Sequence, residues 1–199
     1  LRALIHELRL TTLLVTHDRD DAFALASHLL VLNQGRVEQA GEVAACYERP
    51  VSAFVASLLG EATFLPVQER RGDRARLGGA WVEVCGAGTT AVLRPERLFL
   101  LPPRIPEEEA RADALTGRLL DARFSAGRWR LLVALPDHPA PLIALVDRPP
   151  ASETLHLGVR GPLPLIPDPD QPKETPMSDP AVRSAPTRAA ALAHLAPGR

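Results

Sequence analysis

The chain has 199 residues, 46% of them apolar, with 23 basic and 24 acidic side chains that leave a net charge of −1. That length suits one ordinary domain or two small ones with a real core, and the mixing of charge along the chain gives neither a basic face for nucleic acid nor an acidic tail for a basic partner. No apolar run reaches the roughly 18 residues that a bilayer span requires, and no signal peptide opens the sequence. Cys46 and Cys85 lie far apart and in no metal-ligand spacing, so they read as reduced packing residues in a cytosolic setting.

The sequence opens as if in the middle of a helix. In "LRALIHELRL" Leu1, Leu4, Ile5 and Leu8 share one helical face with no capping residue before them, and the only methionine is Met177. The expectation is a fragment of a longer protein. "TTLLV" (11–15) has the apolar, β-branched character of a strand buried on both sides, as in a parallel sheet flanked by helices. After His17 the acidic "DRDD" suits a helix N-terminus, and Ala22, Phe23 and Ala26 continue that helix. "LLVLNQGRVEQAG" predicts a hairpin: a strand at 29–32, a turn through Asn33, Gln34 and Gly35, and a second strand at 36–39. Two short helices separated by Pro50 come next, the second closing at Gly60, where the first domain boundary is placed.

From residue 61 to 166 the texture changes to short β-type runs punctuated by glycine and proline, which predicts a small antiparallel barrel with an exposed connection at 102–113. Residues 167–199 are rich in proline and small side chains and read as disordered, with a weak helix over 188–195.

One residue in the first segment carries chemistry. His17 follows an apolar strand, and a bare Thr-His-Asp tripeptide is usually just a turn. As the base of a nucleophile it would need a Ser or Cys partner, yet no G-x-S-x-G elbow exists. As a metal ligand it lacks company, because His6, His28, His138, His156 and His194 are scattered, so no metal is expected. A loop at the carboxyl end of a buried parallel strand is nevertheless where open α/β sheets bind ligands, and a neutral imidazole there can donate to a phosphate oxygen.

Beyond Thr16-His17-Asp18, the run continues through acidic residues, Ala22, the hairpin glycines Gly35 and Gly41, and "YERPVSAFVASLLGE". Taken together, these fifty or so residues resemble the end of the nucleotide-binding domain of ABC transporter ATPases, in the importer branch for sulfate, iron, polyamines and sugars. "TTAVLRPERLFL", with Arg94-Pro95-Glu96, resembles a strand of the oligonucleotide-binding-like (TOBE-type) accessory domain of the same importers. Arg19 stands where that family commonly has glutamine, and Asp20 and Asp21 where it has glutamates.

The resemblance implies the α/β end of a P-loop NTPase-like domain (1–60), an all-β, OB-like accessory domain (61–166) and a tail (167–199). It also implies that His17 is the switch histidine on the γ-phosphate of ATP, with Mg²⁺ in the intact protein, and that Arg94 and Glu96 form a regulatory contact, whereas the residues alone read equally as a surface ion pair bracketing a strand-ending proline. Implied partners are transmembrane permease subunits, a second ATPase subunit and, indirectly, a solute-binding protein, with no nucleic acid and a peripheral place on the cytoplasmic membrane face. Hydrolysis needs G-x-x-x-x-G-K-[ST], but the only lysine is Lys173, in the tail. S-G-G-Q-like and Asp-Glu strand-end motifs are equally missing, so this chain alone is expected to be inactive. The alternative is a free-standing, oxyanion-binding or regulatory β-barrel module.

Overall fold

The computed structural model describes residues 7, 11–102, 112–169 and 190–195. The helix expected at 1–8, most of the 102–113 connection and most of the tail lie outside these residues. The chain is mostly β and divides into two compact units, one of residues 1–59 with 170–199 and the other of residues 60–169.

In the first unit β1 (Thr12–Thr16) leads into α1 (Arg19–Leu25), then the hairpin β2 (His28–Asn33) and β3 (Arg36–Glu42), then α2 (Val43–Glu48) and α3 (Ala53–Leu59). The hairpin reverses through Gln34 and Gly35, both at positive φ, 50° and 76°, the pairing that matches the right-handed twist of the strands. Side chains then tie the hairpin to the segment between α2 and α3. Gln39 accepts from the Val51 N–H at 3.0 Å and donates to the Arg49 carbonyl at 3.0 Å, bracketing Pro50, while Glu38 accepts from Asn33 at 2.6 Å and from the Ser52 hydroxyl. Ser52 Oγ in turn accepts from the Val55 N–H, which starts α3.

Two expectations fail here. A weak helix was predicted over 188–195, but Ala190–Leu195 is a strand, β15, that lies between β1 and β2 and pairs antiparallel with both. Two unpaired strand edges offer hydrogen bonds to an extended segment that an isolated helical turn cannot match, so pairing overrides local propensity. β1 was also expected to be a strand of a parallel sheet, buried on both faces; among the described residues it pairs antiparallel, with Ala190–Leu195. Leu14 packs on a core of Ala22, Leu29, Val31, Cys46, Val55 and Leu59, whereas Leu13 and Val15, on the opposite face, are 66% and 65% exposed. Val15 and Leu30 share one lateral row through position 192, and Val37 of β3 extends this bare face at 56% exposure. Among the described residues, the apolar partners of this sheet all lie on its other face.

The second unit holds two sheets where a single antiparallel barrel was expected. One is a mixed sheet in the order β4 (Thr63–Pro66), β8 (Thr90–Leu93), β14 (Leu163–Ile166), β7 (Ala80–Cys85), β6 (Arg74–Leu77), β5 (Glu69–Arg71), with β14 parallel to β7. The other is antiparallel, in the order β12 (Leu142–Val146), β11 (Arg128–Ala134), β10 (Leu115–Ser125), β13 (Thr154–Val159), β9 (Leu98–Leu100), and curls until its edges β12 and β9 come close to closing a barrel. Alternation sorts the side chains: Leu131, Val133, Leu142, Ala144, Val146, Leu155 and Leu157 point into one shared core.

The curl needs a close approach. At Gly117 a Cβ would stand 2.6 Å from the Ala134 carbonyl oxygen and 2.6 Å from Val133 Cγ1, so no side chain fits. A bulge at Leu120, between the Leu119 and Asp121 pairs, bends the same strand further. Replacing Gly117 by alanine should cost about 1–3 kcal/mol, since backbone must move, whereas Leu120→Ala, 47% exposed, should stay within about 0.5 kcal/mol; urea unfolding of both variants measures this.

Burial pushes the Cys46 thiol above its ordinary value. The folded chain therefore holds this proton more tightly than the unfolded chain, so its contribution to stability is intact below the unfolded thiol value and is lost as pH rises from there through the folded one. Cys46→Ala should flatten the alkaline fall in stability, read as denaturation midpoints between pH 7 and 10.

Candidate functional site

The loop leaving β1 is built by its own side chains. Thr16, the last strand residue, accepts the Asp18 N–H on its hydroxyl at 2.9 Å, which turns the chain sharply after the strand. Asp18 then caps α1: extended at φ −91° and ψ 116°, it accepts from the Asp20 N–H at 2.8 Å and from the Asp21 N–H at 3.4 Å. Asp20 and Asp21 sit in the first turn, where negative charge is favourable. Phe23, a helix residue, packs edge-on against Tyr47 at 5.8 Å and ties α1 to α2.

Between these two anchored residues stands His17, exposed at the carboxyl end of β1. The substitutions Arg19, Asp20 and Asp21 keep this geometry, because capping uses the Asp18 carboxylate and backbone N–H groups. Arg19 pairs with the Asp20 carboxylate at 3.7 Å, an exposed contact of little energy.

The other two sequence candidates lie in the second unit. Arg94 is 4% exposed and donates from Nη1 to the Glu61 carbonyl at 3.1 Å, so of the two readings of Arg94 and Glu96 the surface ion pair does not fit the arginine's place in the fold. It precedes the 3₁₀ turn Pro95–Arg97, whose Pro95 is buried and whose Glu96 is half-buried. Glu61 also accepts from Arg130 at 2.8 Å through its carboxylate, so both faces of this residue anchor the start of the unit to arginines. Among the described residues no group of three or more His, Cys, Asp or Glu could hold a metal, and no helix is long and apolar enough to cross a membrane.

No protein-family model matches the chain. It is 35% identical over 136 residues to the sulfate/thiosulfate import ATP-binding protein CysA 2 of Chromobacterium violaceum, covering 66% of this chain and 36% of that protein. To CysA of Rhodopseudomonas palustris it is 32% identical over 149 residues, covering 75% and 42% respectively. The chain is a homologue of ABC importer ATP-binding subunits. The sn-glycerol-3-phosphate import ATP-binding protein UgpC of Ruegeria pomeroyi is a third such relative, 32% identical over 169 residues, covering 79% of this chain and 47% of that protein. The chain thus spans less than half the length of these import ATPase relatives.

The cap is the local feature most open to test. Asp18→Ala should cost the first unit about 0.5–2 kcal/mol and Asp18→Asn much less, read from the hydrogen-exchange protection of the α1 amides.

Proposed function

We propose that this chain is the C-terminal part of the energy-coupling, ATP-hydrolysing subunit of an ABC importer, with His17 as its switch histidine and residues 60–169 as its accessory β unit. The observation that carries the reading is the β1–loop–α1 geometry: a strand end presents an exposed imidazole between a threonine that turns the chain and an aspartate that caps the next helix. Homology of the chain to import ATPases supports it.

The residues of this chain do not by themselves make an ATP site. A phosphate cradle needs backbone N–H groups with a lysine and a hydroxyl for Mg²⁺, and the only lysine is Lys173. The phosphate loop, the S-G-G-Q-like stretch and the Asp-Glu pair belong, in this reading, to the length of the relatives that this chain does not span. What His17 supplies is one donor aimed at a phosphate oxygen, held by a loop whose flanks are already hydrogen-bonded, so little reorganisation is required when charge develops.

The partners in this reading are a second ATPase subunit and transmembrane permease subunits, with a solute-binding protein acting through the permease, at the cytoplasmic face of the membrane. Sulfate/thiosulfate and sn-glycerol 3-phosphate are the solutes in the names of the relatives.

The test is a chimera in which these residues replace the matching segment of the Ruegeria pomeroyi relative. It should hydrolyse ATP, and His17→Ala should lower turnover by roughly a hundredfold while ATP binding persists. The 199-residue chain alone should show no hydrolysis. Turnover in the chimera that is indifferent to His17→Ala would overturn the assignment.

A further inference from the structure

The connection between β11 and β12, residues 135–141, reads LPDHPAP, and its three prolines fix much of its backbone. It turns at Leu135, whose carbonyl accepts from the His138 N–H at 3.4 Å. The half-buried His138 ring then makes two further bonds. Nδ1 lies 2.7 Å from the Ala140 carbonyl oxygen, inside the connection, and Nε2 lies 2.9 Å from the Phe64 carbonyl oxygen, on β4. β4 is the outermost strand of the mixed sheet and, among the described residues, pairs with β8 alone, so its other edge offers backbone groups with no strand to meet them. His138 caps one of these and clips the connection of the antiparallel sheet onto the mixed sheet.

Both partners are carbonyl oxygens, which only accept. A neutral imidazole carries one N–H, so it satisfies one carbonyl and turns a lone pair on the other at hydrogen-bond distance, which is repulsive. The imidazolium donates at both ends. The two bonds are not equivalent. The Ala140 bond moves with the connection, whereas the Phe64 bond joins residues 74 positions apart and holds the connection down. On loss of a proton the Phe64 bond is therefore the one that gives way. Of the charged groups on the neighbouring elements, Asp137 lines a cleft with Gln68, Glu69, Arg76 and Gly79, and Glu69 pairs with Arg71 at 2.6 Å. β4, β8 and β12 carry no ionisable side chain, while Arg128 and Arg130 of β11 are paired with Asp147 and Glu61.

We infer that His138 is a proton-operated latch: doubly protonated, it clips the β11–β12 connection to β4, and on giving one proton to solvent it releases Phe64 and bares that sheet edge. The latched form holds one proton more than the released form, so acid favours it and the latch is lost as pH rises. The device lies within residues 60–169 and needs nothing from the assignment of His17.

The test is NMR of the full chain, labelled at the histidine ring nitrogens and at backbone nitrogen and carbonyl carbon, between pH 5.5 and 8.5. The His138 signals are identified by their loss in His138→Gln. As the ring loses its second proton, the Phe64 carbonyl signal should move in step with it, and backbone order at His138 and Ala140 should fall. The ratio of released to latched form should rise by up to about tenfold per pH unit, the slope of a single proton. In His138→Gln, whose amide keeps its charge, the Phe64 signal should stay flat across the range. Asp137→Asn should leave the wild-type behaviour in place, because the ring bonds to carbonyls and not to that carboxylate. A His138 ring that loses its proton while the Phe64 signal and the backbone order stay constant overturns the inference, and this reading needs no variant to fold. So does a Phe64 signal that titrates equally in His138→Gln or ceases to titrate in Asp137→Asn.

Discussion

A single missing side chain governs the shape of the larger unit. At Gly117 the strand passes so close to the Ala134 carbonyl that a Cβ has no room, and the antiparallel sheet curls over this point. Curling turns one face of five strands inward, where Leu131, Leu142 and Leu157 become fully buried. It also carries the outermost strands, β12 and β9, back towards each other. The close approach at Gly117 thus goes with the concentration of apolar side chains on the inner face of the sheet.

The first unit is organised differently, around side-chain to backbone hydrogen bonds at its turns. Thr16 and Asp18 shape the loop that presents His17, and Gln39 and Ser52 fix the entry to the last helix. Each is a short polar residue beside a reversal, where its bond to the backbone competes with regular structure and wins. The imidazole owes its placement to these neighbours, since every bond that defines the loop can form without it.

Much of this was legible in the sequence, for reasons that differ by element. The hairpin was readable because Gly35 and the two apolar runs satisfy a local rule, and the helices around Pro50 because proline and Gly60 punctuate them. The Thr-His-Asp loop was readable because strand, turn residues and acidic cap follow one another within a few positions. The pairing of Ala190–Leu195 with β1 and β2 was not, because its partners lie more than 150 residues away and nothing in the segment itself records them. The split of the β unit into two sheets, with one parallel pair, was hidden for the same reason. Arg94 was visible as part of a motif, but its burial was not, because a guanidinium goes inside only where a carbonyl such as that of Glu61 awaits it.

The exposed apolar residues of the first sheet, Leu13, Val15 and Val37, bear on the colloidal behaviour of the isolated chain. Water against such a surface is released when two copies meet, so crowding the solution favours association through this face. Sulfate and phosphate strengthen that tendency because they are excluded from apolar surface. These salts thus act on the molecule as precipitants through its apolar sheet face, which light scattering reads as an association that grows with protein concentration.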